Sequence, residues 1–413
     1  MSLLGYDIKN KWHTSYLTWA DPVRKAMPNL PEYVKVRDVT IREADDQAGT
    51  TFSVEKKVQL VKKLVEMGVT EVEPGGVSLV REQYETCKAL KDSKIQVNKT
   101  ARFFGTSKDF KKDIDKCVEA GADNIRVTLI HITDESLLKQ AENLPDIAKY
   151  AHNEYNIPIW FMSDDTVRTN FELIRKIYTI GVDAGFDRAG LTDTHGVASP
   201  PAIRYLASEI RKIIGDLPLA AHTHNDFGLA TANALAAVEG GATEVDLTIN
   251  GLGDRGGNAP FEEVVASLEL LYGIKTGIKL EKIYEVSKLV EELSGVRLQP
   301  HKAIVGENAF LQEASWQGMY PPPDLYDESG ELPINPSVFG RSLTFAWGPV
   351  GTVEDKPIKM KLDAAGFKYT DSDVQEIKRK IEQMVEEKAV SERRRGYITD
   401  QELEDIARQI LKK

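Results

Sequence analysis

Leu217-Pro218-Leu219-Ala220-Ala221-His222-Thr223-His224-Asn225-Asp226 is an apolar run that ends in two imidazoles, and Phe227 to Val238 after it reads as a helix. The run has the length and content of a buried strand. Side chains at i and i+2 of a strand share a face. His222 and His224 therefore aim at one point, at a strand end just before a loop. A lone strand-end histidine is usually a hydrogen-bonded core or surface group. Two on one face, in a chain with seven His, point instead to a bound divalent metal.

The same strand–loop–helix unit recurs on both sides. Strands are expected at Val34–Ile41, Glu71–Pro74, Ile95–Phe103, Asn124–Ile130, Ile157–Phe161, Gly185–Leu191, Leu217–His222 and Glu244–Ile249. Amphipathic helical patterns lie between or after them at Val54–Met67, Asp109–Ala120, Glu135–Asn153, Phe171–Asp183, Pro200–Ile214, Gly228–Glu239 and Phe261–Tyr272. Gly68, Gly121 and Gly241 stand where helices stop. Eight such units over about 240 residues describe an α/β (β/α)8 TIM barrel, with a doubly wound open sheet as the alternative. In a barrel the chemistry sits at the C-terminal ends of the strands.

Three segments follow: an N-terminal extension over 1–32, the barrel over 33–273 and a mainly helical C-terminal appendage over 274–413. The extension carries Trp12, Trp19 and three prolines and is expected to pack on the barrel or on a partner subunit. The appendage shows helical patterns at Ile283–Leu293, Val374–Lys388 and Asp400–Leu411, with a Pro- and Gly-rich connection from Tyr320 to Ser342.

Composition narrows the class. The 413 residues are 41% hydrophobic, enough for a large core. Acidic residues (64) outnumber basic ones (53), a net charge of -11, which argues against nucleic-acid or anionic-membrane binding. No apolar run approaches the roughly 18 residues of a membrane span. The N-terminus lacks the hydrophobic centre of a signal peptide. Cys87 and Cys117 are too few for a disulfide scaffold. A cytoplasmic enzyme is expected.

The strand ends supply candidates. Arg42 and Glu43 close the first expected strand, giving a hard oxygen ligand and a fixed positive charge beside the metal, or else a surface ion pair of little consequence. Strand 5 ends in Ser163-Asp164-Asp165 and strand 6 in Asp193-Thr194-His195-Gly196. Strand 8 ends in Gly251-Leu252-Gly253-Asp254-Arg255-Gly256-Gly257-Asn258. The Gly-x-Gly-x-x-Gly match there is not a dinucleotide fingerprint, because it follows the last strand and lacks the downstream acid. It reads as a flexible loop whose backbone approaches a ligand.

In this order the motifs resemble the metal-dependent barrel lyase and synthase superfamily: 2-isopropylmalate, homocitrate and citramalate synthases, 3-hydroxy-3-methylglutaryl-CoA lyase, and the carboxyltransferase domains of pyruvate-using biotin enzymes. The resemblance covers Val34 to Gly273 and, more weakly, Ile304 to Phe310. It implies that Glu43, His222, His224 and Asn258 form the shell of a divalent cation, which could be Mn, Mg, Zn, Fe or Co. It implies that Arg42 stabilises an enolate or alkoxide and that Thr194 holds the substrate carboxylate. Gln47, Ser163 and Asp165 are further substrate-contacting candidates, and Asp254 a further catalytic one. The implied partners are a 2-oxoacid and an acyl-CoA, and the implied assembly is a homodimer in which Gln317 and Tyr320 could act across the interface.

The chain departs from that pattern. Gln312 and Gln317 stand where the synthases carry two histidines, one of them assigned to acid/base work, and glutamine moves no protons near neutral pH. His195 is the leading substitute base, with His131 weaker and His301 structural. Either Asp46 or Gln47 could fill the family's glutamine position. Homocitrate synthases hold a distal carboxylate with an arginine after strand 4; residues 127–142 contain none, which weighs against 2-oxoglutarate. Acetyl-CoA condensation with a 2-oxoacid leads, ahead of a CoA-independent aldolase, lyase or decarboxylase and of a non-catalytic binding or regulatory barrel.

Overall fold

The computed structural model describes residues 14–313, 334–348, 355–391 and 396–411. Residues 15–298 form one compact unit and the described residues from 299 onward a second. In the first, eight parallel strands close into a barrel in sequence order: β1 (Lys35–Asp38), β2 (Glu71–Gly75), β3 (Asn98–Phe104), β4 (Asn124–Leu129), β5 (Ile159–Ser163), β6 (Arg188–Asp193), β7 (Leu219–Thr223) and β8 (Glu244–Leu247). The TIM barrel expected from the alternating pattern is the fold of this chain.

The helices follow from local sequence. Val54–Met67 begins at Ser53, whose hydroxyl accepts the Lys56 amide, and ends at Gly68, whose φ of 114° suits only glycine. Its Leu60, Val61, Leu64 and Met67 are buried. Phe171–Asp183 and Pro200–Ile214 also match their expected bounds. Glu135–Asn153 does not form one helix. It divides into Asp134–Ala141 and Leu144–Tyr150, with Pro145 in the first turn of the second, where a missing amide costs nothing. A further helix, Arg81–Asp92, fills the β2–β3 connection; its buried residues include Gln83 and Thr86, so the apolar pattern is weak.

Alternation sorts the strand residues into two layers. Phe103, Ile125, Val127, Ile159, Phe161 and Leu191 face outward into the core beneath the helices. The Phe161 ring meets Tyr178 at 5.2 Å and Phe186 at 5.4 Å, both edge-on. The inward positions are largely charged. Arg37 stacks over the Trp160 ring at 4.2 Å, with the Arg188 guanidinium at 5.2 Å and that of Arg126 at 5.4 Å from the same ring. Glu71 receives Arg188 at 2.9 Å and Arg37 at 3.3 Å, and Arg37 also pairs with Asp246.

β1 is shorter than expected. It stops at Asp38, and Thr40–Asp46 forms a helix, so Arg42 and Glu43 stand on a helical turn rather than a strand tip. The Asp38 carboxylate accepts from the Thr40 amide (3.0 Å) and hydroxyl (2.9 Å), which turns the chain. The Thr40 hydroxyl in turn accepts the Ile249 amide at 2.8 Å, tying the first strand to the last.

Ile283–Ser294 belongs to the barrel unit, although the boundary read at 273 puts it in the appendage. Lys56 Nζ donates to the Leu293 carbonyl (3.0 Å) and Asn250 Nδ2 to that of Ser287 (2.9 Å). Of the extension, Arg24 donates to the Tyr272 carbonyl at 3.2 Å, whereas Trp12 lies outside the described residues. The second unit contains β9 (Leu311–Glu313) paired in parallel with β10 (Thr344–Ala346), and helices Asp355–Ala364, Asp371–Ser391 and Asp400–Leu411. They pack around Trp347, Ile377 and Ile406. Among the described residues no helix is long and apolar enough to cross a membrane, and Cys87 and Cys117 are buried and unpaired.

Burial drives the Asp38 carboxyl up to about 7, the Thr40 bonds only partly offsetting it. A folded state that holds this proton more tightly than the unfolded one loses stability as pH rises from about 4 to 7, by up to roughly 1.4 kcal/mol per pH unit. Asp38→Asn keeps an acceptor for Thr40 and removes the titration. Its melting temperature should therefore rise relative to the parent between pH 4 and pH 8, and a gap that stays constant across thermal melts over this range would refute the assignment.

Candidate active site and metal centre

β7 and the turn after β1 bring Glu43, His222 and His224 together, with all three ligand atoms within 4.8 Å of one another. His222 Nε2 lies 3.2 Å from Glu43 Oε1 and 3.2 Å from His224 Nε2. Those edges match ligand atoms that share one ion at roughly 2.1 Å. Asn258, bridged to the His224 backbone, places its Nδ2 3.2 Å from the same His222 nitrogen. All four side chains are buried; Glu43 Oε1 meets the Arg42 guanidinium and His222 Nε2, and Asn258 Oδ1 has no hydrogen-bond partner. Buried polar atoms are costly to leave unmatched. A carboxylate and two facing imidazoles suit a divalent cation, with the Asn258 amide beside them.

Electrostatics hold these groups in ligating form. Burial opposes ionisation of Glu43, but the Arg42 guanidinium against it, then His222, hold its carboxyl well below the usual range. Burial and neighbouring His222 push His224 down to about 3, leaving it neutral. His222 is raised despite its burial, because Asp246 and Glu43 favour its charged form. A cation binding here would displace that proton. Asp246 Oδ2 lies 3.2 Å from His222 Nδ1, so the carboxylate fixes the tautomer that turns Nε2 toward Glu43. Arg37 and His222 lower Asp246 to about 2 against the pull of burial.

Arg42 is held on three sides. It pairs with Glu43, donates from Nε to Glu73 Oε1 (2.9 Å) and from Nη1 to Asp46 Oδ2 (3.1 Å). Lys57 and Gln83 hold the adjoining Asp45. The structure also separates the two glutamine candidates: Asp46 faces Arg42, while Gln47 Oε1 accepts the Gly253 amide at 3.1 Å. A Cβ on Gly253, whose φ is 151°, would fall 1.9 Å from Asn258 Oδ1. The β8 loop thus needs its glycine for close approach to the metal shell. It is pinned rather than loose: Arg255 bonds Asp226 (2.8 Å) and the Thr194 carbonyl (2.6 Å), and pairs with a half-exposed Asp254.

Other expected residues stand elsewhere. Thr194 lies at the mouth, its hydroxyl 2.6 Å from Asp164 Oδ1 and 2.8 Å from the Asp165 amide. Ser163 does not face the mouth. β5 runs two residues further than expected and places Met162 inside with Trp160 and Ala220, which turns Ser163 outward. Asp165 adopts a left-handed backbone and turns its carboxylate to Arg168 and, at 3.5 Å, to His195. His195 is 45% exposed on the rim, with Arg168 Nη2 3.0 Å from its Nδ1. His131 is engaged by Thr169 and Asp134, and His301 by Asn308. Gln312 lies on β9, while Gln317 and Tyr320 fall outside the described residues. Sequence reasoning missed Glu73 and Asp246, and placed Asp164 at the strand 5 end without a partner. Asp246 alternates with the apolar Val245 and Leu247, a pattern that by itself reads as a solvent-facing position.

A family model described as HMGL-like matches residues 33–290. The chain belongs to the HMGL-like family. The 2-isopropylmalate synthase of Methanocaldococcus jannaschii is 42% identical over 71% of this chain, although the match spans only 57% of that synthase. The homocitrate synthase AksA of Methanopyrus kandleri is 33% identical over 93% of this chain and 94% of its own length. A putative (R)-citramalate synthase CimA from the same organism is 34% identical over 92% and 73%. Among solved structures, the hydroxymethylglutaryl-CoA lyase of Pseudomonas aeruginosa superposes with a TM-score of 0.55 at 19% identity, covering 65% of this chain and 97% of the lyase. At that identity the likeness concerns the barrel alone. Within this HMGL-like chain, His222→Ala should weaken Mn²⁺ or Zn²⁺ binding at least ~100-fold by calorimetry, and Asp246→Asn about 10- to 100-fold. Unaltered affinity in His222→Ala would remove the metal assignment.

Proposed function

We propose that this chain is a divalent-metal-dependent synthase that condenses an acyl-CoA, with acetyl-CoA as the first choice, and a 2-oxoacid into a 2-hydroxy-2-alkyl dicarboxylic acid. The observation that carries this is the buried Glu43–His222–His224 cluster with Arg42 against it, at the C-terminal mouth of an HMGL-like barrel. The relatives named as 2-isopropylmalate, citramalate and homocitrate synthases support the acyl-CoA half.

A divalent cation held by Glu43, His222 and His224 would supply Lewis-acid polarisation of the 2-oxoacid carbonyl. The chain's own groups do the rest. Arg42, locked by Glu73 and Asp46, presents fixed positive charge where the ketone oxygen becomes an alkoxide. Thr194, just after β6, donates its hydroxyl to Asp164 and accepts the Asp165 amide, and would orient the substrate carboxylate by turning that donor from Asp164 to it. Asn258 packs against the Gly253 backbone beside the cluster. His195 stands on the rim, where a proton would be exchanged with the incoming acyl group, and Arg168 and Asp165 fix its ring. The relay from the acyl methyl group is assigned to His195, replacing the histidines absent at 312 and 317. A cytoplasmic homodimer completes the proposal.

Purified protein supplied with Mn²⁺, Mg²⁺ or Zn²⁺ should release free thiol from acetyl-CoA only when a 2-oxoacid is present. Release of pyruvate from 4-hydroxy-2-oxoacids without any CoA requirement would instead establish the aldolase or lyase reading. Arg42→Gln should lower kcat by about 10²- to 10³-fold, the usual cost of removing one oxyanion-stabilising donor. A kcat within a few-fold of the parent would show that Arg42 holds the fold rather than the transition state.

A further inference from the structure

We infer that Lys57, on the Val54–Met67 helix, is a positioning residue for the candidate metal centre: through Asp45 it sets the turn that carries Arg42 and Glu43. The inference rests on the metal part of the reading above and not on the condensing chemistry.

Lys57 stands where an apolar residue belongs. The buried face of its helix is Lys57, Leu60, Val61, Leu64 and Met67, a stripe at the spacing of one helix side, and Lys57 itself is fully buried. A buried ammonium is costly unless it is paired. Its Nζ lies 2.6 Å from Asp45 Oδ2 and 3.3 Å from Glu82 Oε1. The two partners differ. The Asp45 carboxylate is mostly buried and belongs to the Thr40–Asp46 helix, whereas that of Glu82, in the first turn of Arg81–Asp92, is 42% exposed. Water screens the Glu82 pair and leaves it the weaker. A buried ion pair is a poor source of stability, because well-packed apolar residues of similar volume often serve as well. What this pair supplies is direction: one charge on an otherwise apolar face seeks one carboxylate.

That carboxylate lies behind the metal ligand. The Thr40–Asp46 helix has seven residues, too short to keep its place without contacts. Glu43 and Asp45 are separated by about 200° around its axis and leave on opposite sides. Glu43 turns to Arg42 and His222, and Asp45 to Lys57. Gln83 completes the anchor. Its Nε2 lies 3.4 Å from Asp45 Oδ2 and its Oε1 accepts the Gly76 amide at 2.6 Å, which ties Asp45 to the end of β2. Gly75 leaves room there for Gln83 and Arg42: a Cβ, at a φ of 112°, would meet the Gln83 amide and fall 2.9 Å from Arg42 Cγ. The helix is thus held before its start by Asp38, after its end by Gln47 and from behind by Lys57. The first two contacts fix its ends. Lys57 resists rotation about its axis, the movement that would swing Glu43 away from His222.

The test titrates Mn²⁺ into the metal-free protein by calorimetry and follows thermal melts of the same samples. Asp45→Asn and Lys57→Met should each weaken Mn²⁺ binding about 10-fold, the lower end of the usual cost of disturbing groups that support a metal ligand. The double variant should melt higher than Lys57→Met alone, since it no longer strands the Asp45 charge, yet bind Mn²⁺ about as weakly as either single variant. Glu82→Gln should stay within about 3-fold of the parent. Affinity unmoved in Asp45→Asn, or lost equally in Glu82→Gln, would overturn the inference. Lower melting temperatures with unaltered affinity would overturn it too and mark Lys57 as a structural group alone. If Lys57→Met fails to fold, the comparison of Asp45→Asn with Glu82→Gln decides the matter by itself. A parent that binds no Mn²⁺ would remove the metal centre together with this inference. A parent that binds it, with every variant unmoved, would remove the inference and leave both the centre and the condensing reading standing.

Discussion

The structure depends on ionic pairing inside a closed barrel. TIM-barrel interiors are usually filled with branched apolar side chains. Here Arg37, Arg126 and Arg188 surround Trp160 and meet Glu71, Glu73, Glu244 and Asp246. A buried carboxylate stays ionised only beside compensating cations, and removing one partner of such a pair typically costs 3–5 kcal/mol. This network reaches the metal centre directly. Asp246 is fixed by Arg37 from below and itself fixes His222 above. Glu73 is fixed by Arg126 and in turn orients Arg42. His222 and Arg42 are thus set by charges one layer deeper, and a change at Arg37 or Arg126 would be felt first as a misdirected imidazole or guanidinium.

The same arrangement explains what could be read beforehand. The outward strand positions are apolar and their helices amphipathic, so the number, order and class of the elements were legible. The inward positions are Arg37, Glu71, Arg126, Arg188, Glu244 and Asp246, residue types that a strand pattern assigns to solvent. Only closure of the ring shows that they face one another. The end of β1 was misplaced for a related reason. Val39-Thr40-Ile41 has strong strand propensity, but the Asp38 carboxylate captures the Thr40 amide and starts a helix. That turn carries Glu43 back over the barrel axis toward His222.

At the site, the histidine pair was legible because a period of two is a property of one strand. Glu43 was legible because it follows Arg42 where a strand ends. Asp164 was read as a strand-end acid but its bond to Thr194 was not, since it depends on where β5 stops: a strand ending at Phe161 leaves its facing undetermined, and one that runs to Ser163 directs Asp164 toward Thr194. Asp246 lies only 24 residues from His222, but the link is made by the β7–β8 register, which pairs those two residues directly. Information of that kind resides between strands.

The β8 loop shows how the ring and the site constrain each other. Asn258 enters the metal shell only if the chain after β8 folds back over β7, and the His224–Asn258 bridge makes that return. The return brings Gly253 so close to Asn258 that no side chain fits, while the Gly253 amide is held by Gln47 from the far side of the β1–β8 seam. The helix bearing Arg42 and Glu43 ends one residue before Gln47. Candidate metal ligands from the first turn, the seventh strand and the last loop are therefore joined by one hydrogen bond and one glycine. A shift of that helix would move Glu43 and Asn258 together, so the loop's glycines serve the registry of the metal shell rather than a bound nucleotide.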